Sequence, residues 1–274
     1  MPCSPEFSVE SCYTSPTTES QKEKKDCHGC SSIKQESDNA LEDFRMAVKE
    51  QELDYITTDE FLLTFLNCRK WDKNRALKLL RNYWEMRKVH SHLFDFDITS
   101  PWPALQQELT TLVRMKDGSY LFLFRVGPWN PKVCSVDEIH HLNITLLRIA
   151  ATCKATVEKG LTVIVDFKNF GIYQARHFTP CHAKLIVSIL QDNFPMRFRG
   201  IHIINMPYVF SLLMSLVWPL LTVKMKERVK LHYSLKTLQE CFNPSDLLKE
   251  YGGDKESAEW PAAKALVTKS VLIV

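Results

Sequence analysis

The hydrophobic period changes along the chain. From Ala40 onward apolar residues recur at helical spacing, with Leu41, Phe44 and Val48 on one side. Thr57-Thr-Asp-Glu60 has the form of a capping box opening a helix through Phe61-Leu-Leu-Thr-Phe-Leu66. Asp72 is placed to cap a further helix, in which Ala76, Leu80, Tyr83, Trp84 and Arg87 share one stripe. Pro101 and Pro103 then predict a linker, and the period shortens. Leu112-Val-Arg-Met115 and Tyr120-Leu-Phe-Leu-Phe-Arg125 flank Lys116-Asp-Gly-Ser119, a hairpin around an Asp-Gly turn. A helix from Val136 to Val157 follows, then Leu161-Thr-Val-Ile-Val-Asp166, whose continuous apolar run suits a strand buried on both faces. A helix from Pro180 to Asn193, strands Gly200–Asn205 and Val229–Tyr233, and a helix with a glycine turn from Pro244 to Gly253 complete the pattern. Helices first, then strands alternating with helices, predict an α/β fold: a helical N-terminal subdomain followed by a domain with a mainly parallel sheet.

Between the last two strands lies the most informative stretch. Met206 to Leu221 reads as one helix, with Val209, Leu212, Leu213 and Leu216 on one face and Phe210, Met214, Val217, Trp218 and Leu221 on the other. Apolar nearly all round, it has to be covered on both sides. It is too short for the roughly twenty residues that cross a bilayer, so it is either a buried helix or one lying against lipid. Lys224-Met-Lys-Glu-Arg-Val-Lys230 follows directly. From Phe194 to Thr237 seven Lys/Arg face the single Glu227, a local charge of +6 in a chain whose total is +3. A basic field confined to one place favours an anionic partner there over general nucleic-acid binding.

Residues 1 to 38, rich in Ser, Thr, Glu and Lys, are expected to be a disordered tail, and 256 to 274 a C-terminal tail in which Val271-Leu-Ile-Val274 frays or serves as a peptide ligand. No secretory leader is recognisable after Met1, which predicts a cytoplasmic protein. The nine cysteines suit reduced thiols. Cys68, Cys134, Cys153, Cys181 and Cys241 are expected to act as small hydrophobes, and Cys27-His28-Gly29-Cys30 lacks the second pair that a zinc finger needs. There is no phosphate-cradling glycine loop, nucleophile elbow or zinc-protease helix in the sequence, and no cysteine is followed six positions later by arginine. His140, His141 and His177 with Asp166 form no catalytic motif. The residues argue for binding rather than catalysis, with no metal and no cofactor.

Four runs of residues carry a resemblance. Asp59-Glu-Phe-Leu-Leu-Thr-Phe-Leu-Asn-Cys-Arg-Lys-Trp-Asp72 resembles the helical beginning of CRAL-TRIO proteins. Val163-Ile-Val-Asp-Phe-Lys-Asn-Phe-Gly171, Gln191-Asp-Asn-Phe-Pro-Met-Arg-Phe-Arg-Gly-Ile-His-Ile-Ile-Asn205 and Leu248-Lys-Glu-Tyr-Gly-Gly253 resemble its lipid-binding domain. The similarity is strongest to the tocopherol-transfer and retinaldehyde-binding branch. It implies domains at 39–97 (helical) and 98–255 (lipid-binding), a sheet floor, and a mobile gate helix over one hydrophobic ligand that is passed between membranes. It implies a lining of Asn143, Leu147, Leu161, Val165, Phe170, Phe178, Ile186, Ile189, Leu190, Phe194 and Ile201, closed by Leu213, Val217 and Leu221 on the gate. It also implies a phosphoinositide head group held by Arg69, Arg197, Arg199, Lys224 and Arg228 on a monomer that visits membranes, endosomal ones among them. Asn67 stands where relatives often carry arginine. Met196 stands where the yeast phosphatidylinositol branch is acidic, which points away from a whole phospholipid as cargo. The other reading left open is a lipid-responsive sensor or scaffold without transfer activity.

Overall fold

Side chains of successive strand residues point to opposite faces, and the sheet uses that alternation to feed two separate cores. The computed structural model describes residues 28–51, 58–94 and 103–256, with side chains from residue 38 onward. Packing divides the chain into Met1–Asn39 and Ala40–Val274. Helices α1 (His28–Glu50), α2 (Asp59–Cys68), α3 (Lys73–Val89), α4 (Ser91–Phe94) and α5 (Pro103–Gln106) precede the sheet. Then come β1 (Thr110–Arg114), β2 (Tyr120–Arg125), α6 (Val136–Thr152), α7 (Lys154–Lys159), β3 (Leu161–Asp166), α8 (Ile172–Ala175), α9 (Pro180–Leu190) and β4 (Phe198–Ile204). Last are α10 (Phe210–Val217), α11 (Val223–Lys226), β5 (Val229–His232) and α12 (Leu235–Gln239). The five strands lie in chain order; β1 and β2 pair antiparallel and every later pair is parallel. This is the α/β architecture with a mainly parallel sheet that the periodicity predicts.

One face of the sheet carries Leu112, Phe122, Leu161, Val163, Ile201 and Ile203 into the larger core, which also holds Phe44, Phe65, Tyr83, Leu147 and Phe194. The opposite face carries Val113, Leu121, Leu123, Ile164 and Ile204 into a smaller core closed by Leu238, Leu247, Leu248 and Tyr251. The rings of Phe65 and Phe194 both pack edge-on against Tyr83, at 5.6 and 5.9 Å. Helical segment and sheet therefore share one continuous core.

Several boundaries differ from the sequence reading, each for a local reason. Helix α1 begins at His28, inside the expected tail, because a helix already anchored at Phe44 and Val48 extends backward through Lys34, Gln35 and Glu36 at little cost per residue. The cap of α2 is Thr58, whose hydroxyl accepts from Phe61 N–H at 3.4 Å, one residue later than the expected box; Thr57 lies outside the described residues. Asp72 caps α3 as predicted, accepting from Arg75 N–H at 3.0 Å. Pro103 opens a helix rather than extending a linker, consistent with proline's fit to a first helical turn; Pro101 lies outside the described residues. The long helix predicted to Val157 breaks at Cys153, an extended residue whose thiol reaches the Gly118 carbonyl at 3.4 Å. Gly118, at φ +82°, makes the hairpin turn. The helix predicted to Asn193 stops at Leu190, because Gln191 is extended and Asp192 left-handed. Residues 1–27 and 257–274, including Cys27 and Val271–Val274, lie outside the described residues. Cys181 and Cys241 are exposed rather than packed as small hydrophobes, while Cys68, Cys134 and Cys153 are buried.

Candidate functional site

All of the predicted lining side chains except Asn143 and Ile186 belong to the larger core or pack against it. Leu147, Leu161, Phe170, Ile189, Phe194, Ile201, Leu213 and Leu221 are buried within it, and Val165, Phe178, Leu190 and Val217 are partly covered against it. Ile186 is half-buried outside that cluster. Asn143 accepts the Thr110 hydroxyl through Oδ1 at 2.7 Å, so its amide is a polar group at the rim of an apolar region. A pocket of about 140 Å³ opens elsewhere, at the C-terminal ends of β4 and β5 between Asn205, Met206, His232 and Tyr233. It is far below the roughly 300–1,000 Å³ of ordinary ligand sites and is not the predicted chamber.

The apolar helix is shorter than the sequence suggests and is covered on one side only. Met206 to Val209 leads in, α10 spans Phe210–Val217, and a 3-10 turn follows at Trp218–Leu220, where Pro219 removes a donor. Phe210 and Leu213 are buried; Phe210 packs against Phe167 at 5.1 Å between ring centres. The outer side leaves Leu212 52%, Trp218 38%, Leu220 42% and Val223 73% exposed. The protein itself covers only one side of this segment, so a helix buried all round is not what the fold contains. Ser211 and Ser215 return their hydroxyl protons to the Tyr208 and Leu212 carbonyls, so the outer side offers little unsatisfied polarity. No helix among the described residues is long and apolar enough to cross a membrane.

The far end of this element is fixed by α9. Gln191 Oε1 accepts from Thr222 N–H at 2.6 Å, while its Nε2 donates to the Leu220 carbonyl at 3.3 Å. Next to it, Asp192 takes the Arg69 guanidinium at 2.6 Å, and Asn82 donates to the Asp192 carbonyl at 2.9 Å.

The predicted basic residues converge in part. Arg69 and Arg197 both lie close enough to Cys68 to favour its thiolate, yet burial outweighs them and pushes that thiol up. Arg197 is committed to the end of α7, donating to the carbonyls of Val157 and Glu158. Arg199 is the extra residue of a β-bulge, since Leu161 pairs with Phe198 and Thr162 with Gly200; it is exposed. Ile201 N–H donates to the Arg228 carbonyl at 2.8 Å, which sets the Arg228 backbone beside the middle of β4. Lys224 is exposed on α11, and Lys226 lies over the Trp218 ring at 5.5 Å.

The groups considered for acid-base chemistry are held in structural roles. Asp166 accepts from the Tyr251 hydroxyl at 3.0 Å, from Asn205 Nδ2 at 2.8 Å and from Lys168 N–H at 2.8 Å. His141 Nδ1 bonds the Leu93 carbonyl at 2.7 Å. His177 packs its ring against Trp129 and Tyr173. The sequence reading did not find Gln191, whose role depends on a corner 29 to 31 residues away.

Residues 109–253 match the family described as the CRAL/TRIO domain. The human alpha-tocopherol transfer protein-like protein is 32% identical over 212 residues, 74% of this chain and 62% of that protein. Human clavesin-2 is 30% identical over 223 residues, covering 76% of this chain and 66% of its own length, and rat clavesin-1 is 29% identical over 215, covering 76% and 61%. The chain spans about three fifths of the length of the first of these relatives, 62%. Among solved structures, that of Sfh5 superposes with a TM-score of 0.55 at 11% identity over 86% of this chain and 97% of that one, a likeness of fold alone.

Proposed function

The chain belongs to the CRAL/TRIO family, and on that premise we propose that it carries one hydrophobic, lipid-like molecule beneath α10 and passes it between membranes. The observation that carries the proposal is the two-sided character of α10. Phe210 and Leu213 on its inner side join an apolar core lined by the predicted cargo residues, while Leu212 on α10, Trp218 and Leu220 on the turn that follows and Val223 at the start of α11 are apolar and exposed. Exposing Phe210, Leu213 and Leu221 to water costs about 1.5 to 3 kcal/mol each, roughly 5 to 9 kcal/mol together, so the gate stays shut away from a surface. Against a bilayer, acyl chains solvate both sides of the helix and that cost largely disappears.

Arg199, Lys224 and Arg228, together with Arg69 and Arg197, supply the attraction to a phosphoinositide-containing surface. Each such cation adds about 1 kcal/mol near an anionic membrane, enough for a transient visit. Arg69 is paired with Asp192, Arg197 with the α7 carbonyls, and Arg199 lies near Asp117, so a head group engages Lys224 and Arg228 first. The relative named for tocopherol transfer supports an aliphatic or isoprenoid cargo. The test is native mass spectrometry of the purified full chain with organic extraction of bound material. One co-purifying or loadable lipid per chain is expected, and a chain that stays at the bare polypeptide mass after incubation with lipid vesicles overturns the proposal.

A further inference from the structure

Two histidines and a cysteine meet at the edge of the sheet, on the side away from the proposed cargo. His202 of β4 and His232 of β5 are 30 residues apart in sequence, but parallel pairing of His202 with Lys230 and of Ile204 with His232 puts them on one face, two positions displaced. Both are buried. Their rings lie nearly parallel, 5.1 Å between centres, and His202 Nδ1 is 2.9 Å from His232 Nε2. Phe242 covers the other side of His202 at 4.8 Å. Cys241, just beyond α12, completes the group: one ligand atom from each of the three residues lies within 4.8 Å of the other two. We propose that His202, His232 and Cys241 form a binding site for Zn²⁺, with a fourth position open to water.

The hydrogen bonds around the group prepare it. Thr237 Oγ1 has one proton and directs it to the Ser234 carbonyl at 2.9 Å. The same oxygen, 3.1 Å from His232 Nδ1, therefore accepts from that nitrogen. His232 Nε2 is left with its lone pair facing His202 and the cysteine, which is the tautomer that a metal needs, fixed by an outer partner as in known imidazole sites. His202 has room to lie along its strand because Gly200 precedes it: a methyl group there would stand 3.0 Å from His202 Nε2. Lys230 Nζ stands 3.9 Å from Cys241 Sγ and is exposed enough to turn aside when a cation arrives.

Closing the site needs little movement. Ligand atoms about 2.0 to 2.3 Å from a tetrahedral zinc stand roughly 3.5 Å apart, so the two imidazoles have to part by about half an ångström and the exposed Cys241 side chain to swing inward by about 1 Å. On binding, the thiol loses its proton to solvent and Sγ joins the metal. His202 exchanges its Nδ1 proton for one on Nε2, and His232 keeps its proton on Nδ1. The net release is one proton per ion. Imidazole and thiolate donors together select zinc over calcium or magnesium. The occupied site would tie the segment after α12 to β4 and β5.

The test is a titration of the full chain with Co²⁺, whose tetrahedral thiolate complexes absorb in the near-ultraviolet and visible. One equivalent is expected to bind with a thiolate charge-transfer band, to be displaced by Zn²⁺, and to release one proton. Cys241→Ser, at an exposed position, is expected to keep the far-ultraviolet circular dichroism, lose the band and bind about a hundredfold more weakly; Thr237→Val should cost about tenfold. A Cys27→Ser/Cys30→Ser variant is expected to behave as the parent. The site is overturned if the parent shows no band, if the band survives Cys241→Ser, or if it vanishes with Cys27 and Cys30 replaced.

Discussion

Gln191 holds Thr222: the amide oxygen at the end of α9 accepts from the backbone N–H that opens α11, at 2.6 Å, while its nitrogen reaches Leu220. A single side chain thereby fixes the corner from which α10 would swing. Replacing Gln191 by Ala removes both bonds and exposes the two backbone groups to water. The expected outcome is a loss of about 1 kcal/mol in stability with cargo exchange accelerated several-fold. Hydrogen exchange at the Thr222 amide checks the first link in this chain of cause; unchanged protection there refutes the hinge.

Lys224→Ala with Arg228→Ala is expected to slow transfer between anionic vesicles while leaving equilibrium cargo binding alone. Two lost cations amount to about 2 kcal/mol at the surface, roughly a thirtyfold change in vesicle affinity at low salt. Vesicle sedimentation beside a fluorescent-lipid transfer assay separates the two effects, and equal transfer rates for variant and parent would dispose of the basic attachment.

Leu212→Ser with Leu220→Ser changes only exposed apolar positions. Stability should move by less than about 0.5 kcal/mol. Binding to neutral vesicles is nonetheless expected to fall by roughly tenfold to a hundredfold, because two side chains no longer enter the acyl region. Thermal unfolding and a vesicle titration read the two quantities independently.

Tyr251→Phe keeps the ring and deletes one donor to Asp166. Burial, with the Asp166 charge beside it, pushes the Tyr251 phenol well above its ordinary range, so it serves as a donor at any working pH. Asp166 keeps Asn205 and Lys168 N–H as partners. A destabilisation of about 1.5 to 3 kcal/mol in urea unfolding is expected for the loss of a bond to a charged acceptor.

Burial holds the His140 imidazole down to about 4 from an ordinary 6.5, with nearby His182 adding to the effect. The unfolded chain then takes up a proton before the folded one does. The associated stability is present above pH 6.5 and is lost as pH falls from there toward 4, amounting to about 2 kcal/mol between pH 7 and 5. His140→Leu should remove that part of the acid slope. Urea unfolding of both proteins at the two pH values measures it, and equal slopes would refute the assignment.

The strands, the hairpin turn and the cap at Asp72 were legible because each rests on residues within a few positions of one another. The alternation in Leu161–Asp166 even separates the residues of the larger core from Ile164, which enters the smaller one. The break at Cys153 was not legible, since its reason is the Gly118 carbonyl 35 residues earlier. Nor was the bulge at Arg199, which exists only against β3. For the candidate site, the resemblance implied apolar lining side chains, and all of them but Ile186 do share one core or pack against it, but the exposed side of α10 depends on what the fold leaves uncovered. The His202–His232 pair depends on strand register, which no local pattern records.

The bare stripe that runs from α10 to the start of α11 also limits how the protein keeps company with itself. Two molecules meeting through Leu212, Leu220 and Val223 hide the same oily area that a bilayer would. Crowding a purified stock therefore invites clumping through this one stripe, and a mild micelle-forming detergent relieves it by occupying the stripe first. The price of a surface ready to land is a ceiling on how densely the unlanded molecules can be kept apart.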